Sequence, residues 1–223
     1  MNNRTSFVDI HTHSNVDYPD IIHIRNIMYG MEEIPSHTDQ RLYSLGIHPW
    51  HIKDGIEAIN RDVFDHKNII AIGEAGFDKV KGASAEMQEE IFRFQVRLSE
   101  QLSKPLIIHN VKSTNIILEI NKEIKPVMPW ILHGYRGNIQ QTNQLLKHNF
   151  IFSFGEQIFQ SERLKNIVRM IPIERIFIET DESSIGIEDL YSTLSYYIDI
   201  NMEELRDQLY QNFCTLFPQQ CDF

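Results

Sequence analysis

The sequence has few of the features that mark membrane or secreted proteins. Only 2 of its 223 residues are cysteines, and we interpret Cys214 and Cys221 as one unpaired helix residue and one tail residue in a reducing compartment. No apolar run reaches the roughly 18 residues that a membrane helix needs. The first residues, Met1–Ser6, are polar and lack the apolar region of a signal peptide. These absences predict a cytoplasmic protein with no membrane partner.

Positive charge is also scarce. The chain carries 21 Lys and Arg against 31 Asp and Glu, which gives a formal net charge of −10. Proteins that bind long nucleic acids through their overall field are normally basic. Any phosphate substrate must therefore be held locally, by a metal ion or by a few cationic side chains.

Short apolar runs, none longer than nine residues, recur along the chain and are rich in Ile, Val and Phe. This pattern is typical of buried parallel strands. Helical segments separate most of the runs, with starts predicted at Ser84 and Asn201 and near Asp54, Ser113, Asn138 and Ser161. The predicted strands are Phe7–His13, Ile21–Met28, Arg41–His48, Ile69–Phe77, Pro105–Asn110, Trp130–Tyr135, Phe150–Gly155 and Arg175–Thr180.

Eight strands with intervening helices predict an α/β fold, a distorted (β/α)8 TIM barrel, in a single domain spanning residues 1–223. The distortion is expected early in the chain. Ser14–Asp20 is too short for a crossover helix. The next connection, Tyr29–Gln40, contains Pro35 and is not expected to form a helix either. An open doubly wound sheet is the alternative, but no Gly-rich phosphate loop follows the first strand.

Ionisable residues stand at the C-terminal ends of five predicted strands, where barrel enzymes place their catalytic groups. Such residues are costly to bury unless they are paired or bind a metal. On the first strand, His11 and His13 are two residues apart and point to the same side. Four imidazoles and two carboxylates suit two divalent ions that share a carboxylate and activate a water. The six candidate metal ligands are His11, His13, Glu74, His109, His133 and Asp181.

Two further residues are candidate substrate contacts. His48 ends the third predicted strand, where it could face the site. Arg136 follows His133 closely, and the planar fork of its guanidinium suits a phosphate oxygen. The alternative for Arg136 is a solvated loop arginine.

The ordered set of motifs resembles the TatD family of metal-dependent hydrolases and deoxyribonucleases. The resemblance covers most of the chain, because the motifs follow the family's order from the first strand to the last helix. They are His11-Thr12-His13, Gly46-Ile47-His48-Pro49, Gly73 to Asp78, Gln88 with Phe92 and Gln95, Pro105 to His109, Leu132-His133, Glu179-Thr180-Asp181, and Asn212 with Phe217.

The resemblance implies a metallo-dependent hydrolase barrel with two divalent ions, which could be Mg, Mn, Zn, Ni or Fe. It assigns His11, His13, Glu74 and Asp181 to the first ion. The second would take Glu74, His109 and His133, so that Glu74 bridges. Asp181 would also orient or deprotonate the attacking water, which makes Asp181 and Glu74 the expected catalytic residues. The implied reaction is phosphate ester hydrolysis, on substrates such as DNA ends or short nucleotides.

Three loops depart from the family's pattern. Asn110-Val111-Lys112, Gly134 to Gly137 and Glu182-Ser183-Ser184 replace the residues that usually follow His109, His133 and Asp181. The metal ligands are retained, whereas part of the expected substrate-binding wall is not. The retained ligands therefore support metal-dependent hydrolysis more strongly than they support deoxyribonuclease activity, which also depends on the altered loops.

Three other functions remain open on the sequence. A PHP-type phosphoesterase also begins with an Asp-x-His-x-His motif followed by Ser, as Asp9 to Ser14 does. It needs a late Asp-x-His motif as well, and no such histidine follows Asp181. A mononuclear amidohydrolase would act on C–N bonds, although Glu74 stands where the two-metal members commonly carry a carboxylated lysine. The third alternative is a non-catalytic scaffold on a retained barrel.

Overall fold

A computed structural model describes residues 5–36, 38–53 and 55–221. Its contacts divide the chain into two compact units, which we call unit 1 (residues 1–25 and 134–223) and unit 2 (residues 26–133). The expectation of a single domain over residues 1–223 stays a prediction.

All eight predicted strands are present, and their order in the sheet is their order in the chain. Pairing within each unit is parallel, as expected for strands that read as continuous apolar runs. The strands are β1 (Phe7–Thr12), β2 (Ile21–Met28), β3 (Leu42–Gly46), β4 (Ile69–Asp78), β5 (Leu106–Val111), β6 (Trp130–Leu132), β7 (Phe150–Phe154) and β8 (Ile176–Ile178).

Six α-helices occur in the described residues, and five of them begin where the sequence predicts. Three begin at a side-chain cap that accepts the backbone N–H three residues on, at Ser84, Ser161 and Asn201, and a fourth begins at a full capping box on Asn138. The helices are α1 (Ala85–Leu102), α2 (Thr114–Ile124), α3 (Ile139–Leu145), α4 (Glu162–Val168), α5 (Ile187–Ile198) and α6 (Met202–Leu216).

Two helix predictions need correction. Asp54 lies outside the described residues, and the described chain after it forms only two short 3-10 turns, Ile56–Ala58 and Asp62–Asp65, so the predicted helix is wrong there. The sequence reading also missed α5, because Gly186 precedes it without a side-chain cap. No helix occurs among the described residues between β1 and β2 or between β2 and β3, as expected for the distorted side.

In unit 2, helix α1 packs against β4 through a buried apolar face. Phe92 is fully buried and its ring lies 5.0 Å from that of Phe77 and 5.4 Å from that of Trp130. Two buried glutamines on α1 bind backbone groups. Gln88 accepts from the Asp78 N–H (2.8 Å) and donates to the Asp78 carbonyl (3.0 Å). Gln95 makes the same pair of bonds to Ile47, at 2.8 and 3.1 Å. Helix α1 therefore fixes the ends of two strands.

In unit 1, helices α5 and α6 cover β1 and β8. The buried Tyr191 hydroxyl accepts from the Val8 N–H (3.0 Å) and donates to the Val8 carbonyl (3.1 Å). On α6, the Asn212 amide donates to the carbonyls of Ile173 (2.8 Å) and Ile176 (3.1 Å). These side chains satisfy backbone groups of β1, of β8 and of the 3-10 turn Ile173–Arg175 before β8, as buried segments require.

The interpretation of the two cysteines as unpaired is wrong. Cys214 and Cys221 form a disulfide with a Cα–Cα distance of 5.6 Å. Helix α6 ends at Leu216, and the 3-10 turn Pro218–Gln220 folds the tail back, which brings the second cysteine within disulfide reach of the first. The argument from cysteine usage to a reducing compartment therefore fails, and the cytoplasmic location stays a prediction. In the described part of the chain, no helix is long and apolar enough to cross a membrane.

Candidate metal centre

In unit 1, three predicted ligands meet where β1 ends. His11 Nε2 lies 3.7 Å and His13 Nε2 lies 3.6 Å from Asp181 Oδ1. Backbone hydrogen bonds hold the segments together: Asp181 N–H donates to the His11 carbonyl (3.0 Å), and His13 N–H donates to the Asp181 carbonyl (3.1 Å). One ligand atom from each residue lies within 4.8 Å of the others, so this trio could hold one metal ion.

A buried acid behind this trio was not predicted from the sequence. Asp9 is fully buried on β1 and accepts from the Thr180 N–H (2.9 Å). The Thr180 hydroxyl lies 2.7 Å from both Asp9 Oδ2 and Thr12 Oγ1, and His23 Nδ1 lies 3.2 Å from Asp9. Asp9 therefore fixes the residue before Asp181, the kind of outer support that orients metal ligands.

In unit 2, three histidines converge on one oxygen of Glu74, at the end of β4. His133 Nε2 lies 2.8 Å from Glu74 Oε2, His109 Nδ1 lies 3.3 Å from it, and His48 Nε2 lies 3.6 Å from it. The other oxygen, Oε1, accepts from the Asn26 amide at 3.2 Å. The structure therefore brings together the three predicted ligands of this unit, and His48 with them.

His48 is at ligand distance, although the sequence suggested only a substrate contact. His48, Glu74 and His109 each offer a ligand atom within 4.8 Å of the other two. The sequence reading could not separate the two roles, because His48 lies two residues beyond the end of β3.

Asp78, like Asp9 in unit 1, is a supporting acid that sequence reasoning missed. Its Oδ2 lies 3.4 Å from His109 Nε2 and accepts from the Trp50 indole N–H at 2.7 Å. Burial alone would raise the pKa of Asp78, but bonds from Trp50 and from the N–H groups of Val80 and Lys81 lower it overall. An ionised Asp78 holds the proton of His109 on Nε2 and leaves Nδ1 facing Glu74. The sequence signal that could have identified Asp78 is its spacing. It lies four residues after Glu74 on the same strand, and side chains at such a spacing point to the same side.

Arg136 is not part of either cluster. Its side chain is exposed in unit 1, and its carbonyl accepts from Arg163 at 3.0 Å. Its contact with substrate stays a prediction. The donor chemistry of both clusters, imidazole nitrogens with carboxylate oxygens, fits divalent transition metals.

His48 should make the stability of the metal-free protein depend on pH. Burial is the main cause that lowers the pKa of His48 to about 3, from an ordinary value of 6.5. Between these values the unfolded chain binds a proton that the native state excludes, so the free energy of unfolding falls as the pH falls. We expect His48→Asn to flatten the decline of Tm from pH 6.5 to 4.5, measured by thermal unfolding in EDTA.

Asparagine suits this test because its side-chain oxygen can still accept the Trp50 N–H that His48 Nδ1 accepts at 3.1 Å. His148→Asn, a change in unit 1 outside the cluster, is the matched control and should keep the wild-type slope. Equal slopes for the wild-type protein and His48→Asn would contradict the prediction.

Comparison with known proteins adds independent findings. The family model described as TatD related DNase matches residues 22–218, a match that begins after His11 and His13. An uncharacterized metal-dependent hydrolase of Buchnera aphidicola is 30% identical over 224 residues, covering 92% of this chain and 84% of the relative. The uncharacterized metal-dependent hydrolase YabD of Bacillus subtilis is 32% identical over 142 residues, covering 59% of this chain and 56% of the relative.

Two solved structures resemble the whole fold. YJJV, a TatD homolog from Escherichia coli K12, has a TM-score of 0.77 at 17% identity and covers 95% of this chain and 98% of its own. A TatD family hydrolase from Entamoeba histolytica has a TM-score of 0.74 at 17% identity and covers 96% and 98%. At this identity the likeness shows the fold alone, and it confirms the prediction of an α/β barrel of the TIM type.

Proposed function

This chain belongs to the TatD family of metal-dependent hydrolases, and on that premise we propose that it hydrolyses phosphate esters, as a deoxyribonuclease acting on DNA ends or short nucleotides. The observation that carries the proposal is the convergence of histidine nitrogens on Glu74 Oε2, at 2.8 to 3.6 Å. Mixed imidazole and carboxylate donors of this kind are typical of hydrolytic metal sites.

We propose two divalent ions. The trio His11, His13 and Asp181 would hold one, and Glu74, His109 and His133 would hold the other, with Glu74 shared between them as the family resemblance implies. Bound divalent ions would make a water acidic enough to attack phosphorus and would stabilise the leaving oxygen. The donor set is compatible with Zn, Mn, Ni, Fe or Mg, which we leave as alternatives for measurement.

The side chains of the chain itself have separate roles in this proposal. Asp181 accepts the proton of the attacking water, since its carboxylate stays one-third exposed while it faces His11 and His13. His48, whose pKa burial holds at about 3, stays neutral near pH 7 and donates or accepts a hydrogen bond at the substrate. Arg136 remains the proposed contact for a phosphate oxygen, through its exposed guanidinium.

Turnover with defined substrates tests the proposal. The protein should cleave single-stranded oligonucleotides and p-nitrophenyl phosphodiesters when Mg²⁺ or Mn²⁺ is added, and EDTA should abolish this activity. An amide and a lactone serve as the comparison substrates. Efficient hydrolysis of the amide or lactone without phosphodiester cleavage would contradict the proposal and favour an amidohydrolase.

Replacing His109 should remove metal without unfolding the protein. We expect His109→Ala to lose about one ion per chain, because it deletes a ligand nitrogen that lies 3.3 Å from Glu74. Elemental analysis after dialysis measures the metal content, and circular dichroism checks the fold. His148→Ala, a control outside the cluster, should keep full content. Unchanged stoichiometry in His109→Ala would remove His109 from the ligand set, and loss of both ions in Glu74→Gln would support the shared carboxylate.

A further inference from the structure

Trp50 lies in unit 2, on the segment that follows β3, and reaches the end of β4. Its side chain is 38% exposed, so the ring does not simply fill the core. The indole N–H nevertheless donates a hydrogen bond of 2.7 Å to a buried carboxylate, that of Asp78, the last residue of β4. What this bond does depends on the other contacts of Asp78.

Three donors hold the Asp78 carboxylate. Its Oδ1 accepts from the backbone N–H groups of Val80 (2.7 Å) and Lys81 (3.0 Å), whereas its Oδ2 accepts from the Trp50 indole. The two backbone bonds fix one oxygen, but the plane of the carboxylate is fixed only when the second oxygen is held as well. Oδ2 is also the oxygen that lies 3.4 Å from His109 Nε2. The indole N–H therefore aims this oxygen at the imidazole.

The orientation of the His109 ring decides whether its Nδ1 can serve as a ligand atom. We call the three proposed ligands of this ion, Glu74, His109 and His133, the Glu74 site. Nδ1 of His109 lies 3.3 Å from Glu74 Oε2, while the other ring nitrogen faces Asp78. A carboxylate that accepts from one nitrogen of a histidine keeps the other nitrogen unprotonated and turned towards a metal. The contacts that begin at Trp50 therefore end at a proposed metal ligand.

The Trp50 ring is itself held in place. It makes edge-to-face contacts with the rings of His48 and His109, with centroids 4.7 and 5.7 Å away. The Lys81 amino group lies 3.6 Å from the centroid of the indole, in a cation–π contact. On the main chain, the Trp50 N–H donates to His48 Nδ1 at 3.1 Å. These contacts restrict rotation of the ring and keep its indole N–H directed at Asp78.

We infer that Trp50 is a positioning residue for the metal ion of the Glu74 site. It acts through Asp78, whose carboxylate it turns towards His109, and it needs no contact with the substrate. The inference rests on the proposed function, because that proposal makes His109 a ligand, and it adds a residue that holds this ligand in place. Loss of outer support of this kind typically lowers metal affinity by about 10-fold to 100-fold.

Removing the indole N–H tests the inference. Trp50→Phe keeps an aromatic ring and deletes the donor, so it should weaken the binding of one Zn²⁺ per chain by about tenfold and leave the other unchanged. Competition with a chelating dye measures both affinities. Tyr29→Phe is the matched control, because it removes the hydroxyl that accepts the Asn60 N–H at 2.8 Å elsewhere in unit 2. It should keep both affinities, and unchanged affinities in Trp50→Phe would overturn the inference.

Two further variants separate the indole N–H from the packing of the ring. Lys81→Met removes the cation over the ring and keeps the N–H, so its Zn²⁺ affinity should stay close to the wild-type value. In an Asp78→Asn background, Trp50→Phe should cause little further loss, because the indole acts through the carboxylate. Losses that multiply in the double variant, or a loss in Lys81→Met as large as that in Trp50→Phe, would overturn the inference.

A spectroscopic readout tests the inference without metal or turnover. In nitrogen NMR spectra of the EDTA-treated protein in mildly alkaline buffer, His109 should carry its proton on Nε2, and Trp50→Phe should raise the share that carries it on Nδ1. The signals that His109→Ala lacks identify His109. If the chain binds no metal and cleaves no phosphodiester, the proposed function fails, and the tautomer still decides the role of Trp50. An unchanged tautomer share in Trp50→Phe would overturn the inference and leave the function standing.

Discussion

Asp181→Asn is expected to lower kcat for phosphodiester hydrolysis by about 100-fold or more, the scale of general-base catalysis. The amide keeps the size of the carboxylate and one ligand oxygen but cannot accept the proton of the attacking water. The backbone should tolerate this change. Asp181 has a left-handed φ of 54°, which asparagine adopts readily, and the hydrogen bonds that join its N–H to the His11 carbonyl and its carbonyl to the His13 N–H are made by main-chain atoms that the substitution keeps.

Metal content must be measured alongside kcat for Asp181→Asn, because lost ions would also lower the rate. Glu182→Gln removes an exposed carboxylate at the next position and should leave kcat unchanged. A variant that keeps its ions and turns over at nearly the wild-type rate would show that Asp181 is not the base.

Gly76→Ala is expected to lower the free energy of unfolding by about 3 kcal/mol or more, through clash and backbone strain. Gly76 lies on β4 with a φ of 148°, and an added Cβ would stand 2.0 Å from the carbonyl oxygen of His109. Relief requires β5 to move away from β4, which would also displace the His109 ring. Chemical denaturation measures the loss, and metal content measures the displacement.

Gly186→Ala provides the matched control for Gly76→Ala. Its φ of −66° is ordinary, and the nearest atom to an added Cβ is 3.8 Å away. We expect a change within about 1 kcal/mol, of either sign. Equal stabilities for the two variants would contradict the prediction for Gly76.

Much of the fold could be predicted from sequence because strand burial and helix caps are local signals. The apolar runs located all eight strands, and Ser84, Asn138, Ser161 and Asn201 marked helix starts. Where the local signal was weak the prediction failed, as at α5, which begins after an uncapped glycine. The disulfide between Cys214 and Cys221 depends on a tail that folds back, which spacing alone does not show.

For the candidate site, the sequence predicted the residues at the strand ends but not the contacts that support them. Residues at strand ends could be selected one by one, because parallel strands end on the same side. Their supporting contacts were not accessible, since they join different strands whose relative register the sequence does not state. The bond from Asn26 to Glu74 and the approach of Asp78 to His109 are of this kind. Metal binding by the six proposed ligands stays a prediction.

The two buried glutamines of α1 fix the spacing between two strand ends in unit 2. Gln88 and Gln95 are seven residues apart, almost two turns, so they project from one face towards Asp78 and Ile47. Inserting one residue between them would rotate one glutamine by about 100° and release either Asp78, beside His109, or Ile47, beside His48. Helix α1 should therefore tolerate many substitutions on its exposed face during evolution, while its length between these two positions stays constant.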